Sequence, residues 1–558
     1  MKKIVLLYMI LYSTIVYAQY PVIAPPLKGS LKITGNFAQL RPNHFHTGLD
    51  FSVNKKVGIP IYAVSDGYVC RIKVSSTGYG RVVYLMHSDG YKSVYAHLSR
   101  FSSKLQRYIL AKQLAAEQTE VDLYPDSGLI KIRRGEIIGY SGNSGNSYGA
   151  HLHFEMRTKD DTALNPLLFH LNFYDTKKPQ INTIVIYPAT DTSLVNFLHK
   201  PLIKTVQVIE GKYHLNPPII VYGAVYFGIE AYDYLNYSRN RFGIYSVKMY
   251  VDDTLFLAYH FDKLVFEQQR AINSFQDYKL RLKTGHKIQR SLVEPGNKLP
   301  IYDSIRNNGV AVFYDNDFHI IRYVVRDFYG NENEIDFQVK NTTKLSKFKF
   351  HYSPAYDTLL AYDTANYLIF KDMELFFDKN TFFSDTKFSV KKIEDSIGIS
   401  DAYLVGDYFL PVSKPFIISI KIPDMPDSLQ NKLLILREDF KGKQKFLSGR
   451  INEGFFNAFT KEMGKFSLVL DTINPEVKLV NKNLSKQSQL FFNVFDNTGI
   501  LNYSGFVNGQ WRPFYYDKKN QVVIYRVDNA IKKGRNIITL IVEDLAHNKT
   551  YFKYEFYR

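Results

Sequence analysis

The chain of 558 residues contains a single cysteine, Cys70. No internal disulfide bond is therefore available, so packing has to stabilise each folded unit. The same scarcity excludes a closed, thiolate-rich structural zinc site, because such sites take four protein ligands that usually include several cysteines. Cys70 lies in an apolar run and is predicted to be a small buried residue.

Long apolar runs are missing after the N-terminus. The chain begins with Lys2-Lys3, which is followed by an apolar run from Ile4 to Ala18 that ends in small residues. This pattern is typical of a secretory signal peptide, which we place at residues 1–18. The run is shorter than the about 20 residues that cross a bilayer, and an uncleaved anchor is the alternative. We expect an exported chain without a transmembrane segment after signal removal.

A nucleic-acid-binding motif is also missing, although the chain is strongly basic. Lys and Arg total 71 against 53 Asp and Glu, which gives a formal net charge of +18 and a pI near 9.3. The charge is spread along the chain, a distribution that favours long-range attraction to polyanionic surfaces. Export and the missing motif make nucleic acid a poor partner, so we expect envelope polymers instead.

Aromatic residues are abundant, at 15% of the chain with 43 Tyr and 41 Phe, and many short runs alternate apolar with polar residues. Both features are typical of β-strands. The sequence therefore predicts a mostly β protein, and its length predicts about three to four domains.

Two short stretches about a hundred residues apart carry the most reactive side chains. His46 and Asp50 are four positions apart in the first, and His151 and His153 are two positions apart in the second. Even separations place side chains on one face of a strand, so each stretch offers two groups to one point. Two imidazoles and one carboxylate match the three protein ligands of catalytic zinc, which leaves a fourth position for water.

Histidines cluster around these stretches. A lone His-x-His pair means little, but six of the 14 histidines lie between residues 44 and 153: His44, His46, His87, His97, His151 and His153. Four motifs in this region are Arg41-Pro-Asn-His-Phe-His-Thr-Gly-Leu-Asp50, Tyr95-Ala-His97-Leu, Gly139-Tyr-Ser-Gly-Asn-Ser-Gly145 and His151-Leu-His-Phe-Glu155. In this order they resemble the lysostaphin-type, or LytM-like, zinc endopeptidases of bacterial cell walls.

The resemblance covers roughly residues 30 to 160 and implies a role for each matching residue. It makes His46, Asp50 and His153 the ligands of one zinc ion. It makes His97 and His151 the two catalytic histidines, which position and deprotonate water or stabilise an oxyanion.

Three other residues of this region depart from the family pattern or lie outside it. His44 and His87 match no family position, and we interpret them as solvated or packing residues. Ala150 replaces the proline that the family usually has before the His-x-His pair, a change that removes no reactive group.

Residues 19–175 form the predicted peptidase domain, for which the resemblance implies a LytM-like β-sheet fold of the duplicated hybrid motif type. A helical pattern at about 102–125 predicts an insertion, which either flanks the substrate groove or braces the fold. The strand-rich stretch 344–471 is predicted to be a β domain of uncertain type.

Two signatures recur in the remainder of the chain. Asp175-Thr-Lys-Lys-Pro179 reappears in form as Asp471-Thr-Ile-Asn-Pro475, and the stretch 325–331 reappears as 542–548. We interpret them as the start and end of a repeated unit, and predict immunoglobulin-like β domains at 176–343 and 472–558. This order of domains resembles exported cell-wall peptidases of Bacteroidetes-type bacteria.

We therefore expect a zinc metalloendopeptidase that hydrolyses peptide cross-links of peptidoglycan during wall remodelling or lysis, in the periplasm or at the outer surface of the envelope. Two alternatives stay open: a non-catalytic wall-binding protein or hydrolase activator, and an exported peptidase that acts on proteins. Degenerate relatives lose the metal-binding residues, whereas all five polar positions are kept here. The motifs specify neither the bond that is cleaved nor the oligomeric state.

Overall fold

Strands dominate the protein. The computed structural model describes residues 20–171, 173–236, 238–342, 356–394, 397–480 and 487–558. Strands account for 47% of the structure and helices for 8%, which confirms the mostly β prediction. The predicted signal peptide, residues 1–18, lies outside the described residues.

The N-terminal segment, residues 20–171, contains the two histidine stretches. Its strands β1 to β14 are Ile33–Gly35, Leu40–Arg41, His44–Phe45, Leu49–Ser52, Pro60–Tyr62, Gly67–Val74, Arg81–His87, Lys92–Ala96, Arg100–Phe101, Val121–Leu123, Lys131–Ile132, Ile137–Tyr140, His151–Arg157 and Ala163–Leu164. Its main sheet has the strand order β1-β4-β13-β8-β7-β6-β10. A smaller sheet of β5, β12 and β9 lies beside it.

One helix, α1 (Ser103–Ala116), lies within the predicted insertion. It buries Leu105, Ile109 and Gln113, which are four residues apart and therefore share one face. A 3₁₀ turn, Pro166–Phe169, closes the segment. Within the described ranges, no helix is both long enough and apolar enough to cross a bilayer.

The second segment, residues 173–342, packs a five-stranded sheet against a seven-stranded one around a shared core. Its strands β15 to β29 are Gln180–Pro188, Leu194–Val195, Leu202–Thr205, Gln207–Ile209, Lys212–His214, Ile219–Tyr222, Ala224–Tyr232, Ser246–Val251, Thr254–His260, Lys263–Leu264, Gln289–Arg290, Tyr302–Ile305, Val310–Val312, Phe318–Arg326 and Glu332–Asn341. Its helices are α2 (Ile272–Phe275) and α3 (Tyr278–Thr284), with 3₁₀ turns at Phe266–Ala271 and Asn307–Gly309.

The third segment, residues 356–471, has two five-stranded sheets around one core and a two-stranded sheet beside them. Its strands β30 to β41 are Thr358–Leu360, Asn366–Ile369, Met373–Phe377, Thr386–Phe388, Val390–Ile393, Ala402–Val405, Phe416–Lys421, Leu433–Glu438, Gln444–Leu447, Gly449–Asn452, Phe455–Thr460 and Gly464–Leu470. A short helix, α4 (Asp427–Gln430), precedes β37.

The C-terminal segment, residues 472–558, pairs two four-stranded sheets, β42-β43-β47-β46 and β45-β44-β48-β49. Its strands β42 to β49 are Glu476–Leu479, Gln489–Phe495, Ile500–Val507, Gln510–Arg512, Phe514–Asp517, Val522–Arg526, Arg535–Asp544 and Lys549–Tyr557. Alternate residues of β48 are buried, as expected for a strand with one face on a core. The immunoglobulin-like assignment of this segment and the second one stays a prediction, as do the domain boundaries.

The first two segments are joined by more than a linker. Strand β24 of the second segment pairs with β14 and so extends the N-terminal sheet. Phe45 is fully buried in the core of the second segment, with its ring centroid 5.8 Å from those of Phe261 and Phe275. Its backbone N–H donates to Oε1 of Gln269 at 2.7 Å. Phe45, the residue next to His46, is therefore held in place by the second segment.

The C-terminal segment contacts the N-terminal segment at three points. Lys519 Nζ donates to the main-chain oxygens of Asn143 and Ser147, at 2.5 and 2.9 Å. Arg526 donates to the carbonyl of Ser99 at 2.9 Å. The hydroxyl of Tyr515 donates to Oε1 of Gln113 on α1 at 3.2 Å. The insertion thus lies between the N-terminal core and the last segment.

Replacing Phe45 with alanine is expected to lower the free energy of unfolding by about 3–5 kcal/mol, because a buried aromatic ring is lost and a cavity is left. Calorimetric unfolding of the full chain measures the change. The matched variant Phe459→Ala removes a ring that is 68% exposed, and its effect is expected to stay below about 0.5 kcal/mol. Equal melting temperatures of the two variants would show that the stability of the first two segments does not depend on the core that they share.

Candidate metal centre and active site

Strand β13 carries the centre because its sequence alternates in type. Its residues Leu152, Phe154 and Met156 point into the apolar core of the N-terminal segment. The opposite face is polar throughout and carries, in order, His151, His153, Glu155 and Arg157. Both faces are largely buried, so the polar face needs partners from neighbouring strands.

Those partners come from both sides, since β13 pairs with β4 and with β8. His153 lies opposite Asp50 of β4 and opposite Ala96 of β8. His97 directly follows β8 and lies beside the same point, with a φ of 60°. His46 precedes β4 and completes the group.

Three donor atoms meet at one buried point. His46 Nε2 lies 3.0 Å from Asp50 Oδ1 and 2.9 Å from His153 Nδ1, and His153 Nδ1 lies 2.9 Å from Asp50 Oδ1. The ligand atoms of tetrahedral zinc are about 3.3 Å apart, close to these separations. All three side chains are buried, with 2 to 6% of each residue exposed.

The outer nitrogen of each imidazole is already engaged. His46 Nδ1 lies 2.7 Å from the carbonyl oxygen of Asn36, and His153 Nε2 lies 2.8 Å from Oε1 of Glu155. An oxygen of this kind only accepts, so each neutral ring donates outward and turns its lone pair inward. Two lone pairs and a carboxylate oxygen then face one another, an arrangement that fits a zinc ion.

The charges around this point support the same conclusion. Burial lowers the pKa of His46 to about 4. Burial also opposes protonation of His153, but hydrogen bonds with Asp50 and Glu155 outweigh it and raise its pKa to about 9. The pKa of Asp50 lies well below its usual value, since the three histidines around it outweigh its burial. Zinc ligands bind in their deprotonated form, so a zinc ion at this point would displace a proton from His153.

Glu155 contacts the ligand candidate His153, a position to which the sequence motifs alone assigned no role. It is fully buried, and its Oε1 accepts from Thr47 Oγ1 at 2.5 Å and from the Tyr79 hydroxyl at 2.6 Å. Its Oε2 accepts from Arg157 Nε at 2.6 Å. Burial opposes its ionisation, but Arg157 and His153 keep its pKa well below the usual range. The even spacing from His153 would have placed it on the same face.

The role of Arg41 beside the cluster was also not predicted from the sequence. Its guanidinium donates to Asp50 Oδ2 at 2.5 Å, which leaves Oδ1 for the cluster. It stands at the start of the first motif, where the sequence offered no separate signal for a contact with Asp50.

His97 and His151 flank the cluster. The ring centroids of the two residues are 4.9 Å apart. His97 Nδ1 lies 2.8 Å from the carbonyl of Ser144, and His151 Nδ1 lies 2.9 Å from that of Gly149. Both rings therefore keep Nε2 as the proton-accepting nitrogen. The His151 Nε2 is 3.4 Å from Asp50 Oδ1, and burial lowers the pKa of His97 to about 3.

The two remaining histidines of the region lie outside the cluster. His44 is exposed, and its Nδ1 contacts the carbonyl of Pro42. His87 is buried between the carbonyl of Asp66 and the hydroxyl of Ser93.

This arrangement fits a metal centre with three protein ligands and two further imidazoles beside it. Residues 44–121 match the model described as Peptidase family M23. Residues 357–471 match a second model, described as a Zu5-like domain.

Individual relatives match over the same region. The DD-carboxypeptidase/endopeptidase Mpg of Neisseria meningitidis is 36% identical over 122 residues, which cover 22% of each chain. The peptidoglycan DD-endopeptidase ShyA of Vibrio cholerae is 29% identical over 137 residues, 24% of this chain and 26% of its own length. The solved catalytic domain of the prophage-encoded M23 protein EnpA from Enterococcus faecalis is 27% identical to this chain, with a TM-score of 0.19. The match covers 27% of this chain and 95% of the EnpA domain. The chain thus spans about a quarter of the length of the curated relatives it matches.

The Glu155→Gln variant is expected to bind zinc about 10 to 100 times more weakly, because a neutral amide orients and polarises His153 less well than a carboxylate. Competition with a chromophoric chelator measures the affinity. The exposed Glu117→Gln serves as the matched control and is expected to leave it unchanged.

A second variant separates metal binding from folding. Glu155→Gln also leaves the Arg157 charge buried without its partner, which destabilises the fold. Adding Arg157→Met removes that charge, and the weaker zinc binding is expected to persist. Full recovery of affinity in the double variant would assign the effect to Arg157 rather than to the contact with His153.

Proposed function

We propose that this chain is a zinc-dependent metalloendopeptidase that hydrolyses peptide cross-links of peptidoglycan in the bacterial cell envelope. The observation that carries the proposal is the convergence of two imidazole lone pairs and a carboxylate oxygen on one buried point, flanked by two further imidazoles. The peptidoglycan substrate is supported by the family resemblance of the motifs and by the similarity to the peptidoglycan DD-endopeptidase ShyA.

In this proposal His46, Asp50 and His153 hold one zinc ion. Zinc in such a site supplies Lewis-acid chemistry, which lowers the pKa of water and polarises a carbonyl group. Asn36 and Glu155 fix the two ligand rings through their outer nitrogens. These contacts pre-organise the ligands, so little reorganisation is needed when the substrate arrives.

His97 and His151 act on protons. The low pKa of His97 keeps its ring neutral at neutral pH, and its Nδ1–H is held by Ser144. The unprotonated Nε2 of His97 accepts a hydrogen bond from the attacking water and so positions it, whereas Nε2 of His151 takes the proton of that water and, once protonated, donates to a developing oxyanion. Attack by water in this way needs no acyl-enzyme, and no serine or cysteine nucleophile is required.

The proposed location is the periplasm or the outer surface of the envelope, and the proposed partners are peptidoglycan or other envelope polymers. The basic charge of the chain supports attraction to such polymers. Nucleic acid is not among the proposed partners.

Digestion of purified peptidoglycan by the full chain, followed by mass analysis of the fragments, tests the substrate. We expect new amino termini, no new reducing sugars, and loss of activity on chelation that zinc restores. An enzyme that cleaves protein substrates but releases nothing from peptidoglycan would favour the exported protein peptidase. A folded, zinc-loaded chain without hydrolytic activity would favour the wall-binding protein.

Single alanine variants test the division of roles. His153→Ala and Asp50→Ala are expected to lose both zinc and activity, because each removes a ligand. His97→Ala and His151→Ala are expected to keep most of the zinc and to lower turnover by about 10² to 10⁴-fold, the range for a lost acid–base group. The readouts are zinc content by metal analysis and initial rates on one soluble peptide. Zinc loss in His151→Ala as complete as in His153→Ala would contradict the assignment.

A further inference from the structure

Two clusters of three aspartates lie far from the zinc site. One consists of Asp175, Asp233 and Asp327 in and beside the second segment, and the other of Asp471, Asp496 and Asp544 in and beside the C-terminal segment. Within each cluster, one carboxylate oxygen from every residue lies within 4.8 Å of the other two. These residues include the recurring aspartates of the two sequence signatures, a feature that the proposed peptidase does not use.

The clusters occupy the same place in their two segments. Asp233 directly follows β21, whose last residue pairs with the residue after Pro179. Asp496 directly follows β43, whose last residue pairs with the residue after Pro475. The third aspartate of each cluster begins a tight turn between two paired strands, β28–β29 and β48–β49. In both segments, therefore, the three aspartates come from three loops at equivalent positions.

A pair of hydrogen bonds from an asparagine side chain also occurs in both clusters. Asn331 Nδ2 donates to Asp327 Oδ2 at 2.7 Å and to the main-chain oxygen of Asp175 at 3.1 Å. Asn548 Nδ2 does the same for its cluster, with 2.8 Å to Asp544 Oδ2 and 2.9 Å to the main-chain oxygen of Asp471. Each asparagine therefore holds the first and third aspartates in place.

Three buried carboxylate oxygens in the two clusters have no hydrogen-bond partner among the described residues. Asp175 and Asp233 are 5% and 4% exposed, yet Oδ2 of the first and Oδ1 of the second accept no hydrogen bond. Oδ2 of Asp496 is likewise buried and unpartnered. Among the described residues, none of the six carboxylates forms an ion pair with a Lys, Arg or His side chain. A buried anionic oxygen without a donor or counter-charge is costly, so these atoms point to a missing cation.

The electrostatics agree. Burial and the neighbouring charges of Asp327 and Asp175 raise the pKa of Asp233 to about 7. Burial, together with the charges of Asp496 and Asp471, also raises the pKa of Asp544. These shifts express the repulsion among carboxylates that a divalent cation would relieve.

We propose that each aspartate cluster binds one calcium ion. The donors are oxygens alone, with no histidine or cysteine, which selects a hard cation over zinc. Calcium accepts several carboxylates in a flexible shell, whereas magnesium demands a small octahedral one and usually keeps several waters. The gathering of three buried carboxylates at one point fits calcium better.

Both ions would lie at connections between consecutive segments of the chain. Asp175 lies in the connection between the N-terminal segment and β15, and Asp471 directly follows β41, the last strand of the third segment. Each calcium ion therefore ties an incoming linker to two loops at one end of the following sandwich. Calcium fixes how consecutive segments are oriented.

Calcium titration of the full chain tests the proposal. Purified protein is freed of divalent ions, reloaded with zinc, and titrated with calcium by calorimetry or equilibrium dialysis. We expect two calcium ions per chain, with dissociation constants on the order of 10⁻⁴ M or tighter, and a higher melting temperature in millimolar calcium. Wild-type protein that takes up no calcium, or that takes up magnesium equally well, would overturn the proposal.

Isosteric variants assign the ions to the clusters. Asp233→Asn and Asp496→Asn are each expected to bind one calcium ion and the double variant none, with zinc content unchanged. Asp336→Asn in the second segment, which loses only an exposed pair with Arg322, is the matched control and is expected to bind two. In calcium-free buffer the cluster variants are expected to melt at or above the wild-type temperature, since repulsion is reduced. Retention of both ions by the double variant would place them elsewhere.

Discussion

The metal centre depends on the antiparallel pairing of β4 with β13. This pairing sets His153 opposite Asp50, two residues that are 103 positions apart in the chain. A slip of one residue would turn the polar face of β13 into the core and bring an apolar side chain to the metal. The slip is prevented on the other face, where Leu152 and Phe154 are fully buried. Packing of the core therefore fixes the register that the chemistry needs.

The ligand candidates contact further charged side chains. Arg157, Glu155, His153, Asp50 and Arg41 form a line in which each carboxylate contacts His153 on one side and an arginine of opposite charge on the other. Taking any of these charges out of water is costly, and each neighbour offsets part of that cost. The site is thus stabilised as one network, and changes to Glu155 or Arg41 act on the metal through it.

Much of the site could be predicted from the sequence. The order of the four motifs was enough to bring His46, Asp50 and His153 together. Strand geometry explains the spacing of His151 and His153, which share β13, but not that of His46 and Asp50, because His46 lies in the loop before β4. The helix in the insertion was foreseen from the spacing of Leu105 and Ile109, and the abundance of aromatic and alternating residues identified the β class.

Other features could not be predicted in the same way. The contact of Arg41 with Asp50 and the burial of Phe45 among residues of the second segment depend on tertiary packing, which leaves no periodic signal. The docking of Lys519 on the loop around Ser147 joins surfaces more than 370 positions apart. The repeated aspartates were visible as a pattern, but only the folded loops show that their oxygens converge.

The contact between the C-terminal segment and the N-terminal segment also affects the order in which parts of the protein fold during synthesis. The loop from Asn143 to Ser147 carries the carbonyl that holds His97, and it receives two hydrogen bonds from Lys519. A chain made from its N-terminus folds its first domain first. The N-terminal sheet can therefore form while this loop still lacks its final support. The loop beside the candidate metal site acquires its full set of contacts only when the segment that carries Lys519 has been made and folded.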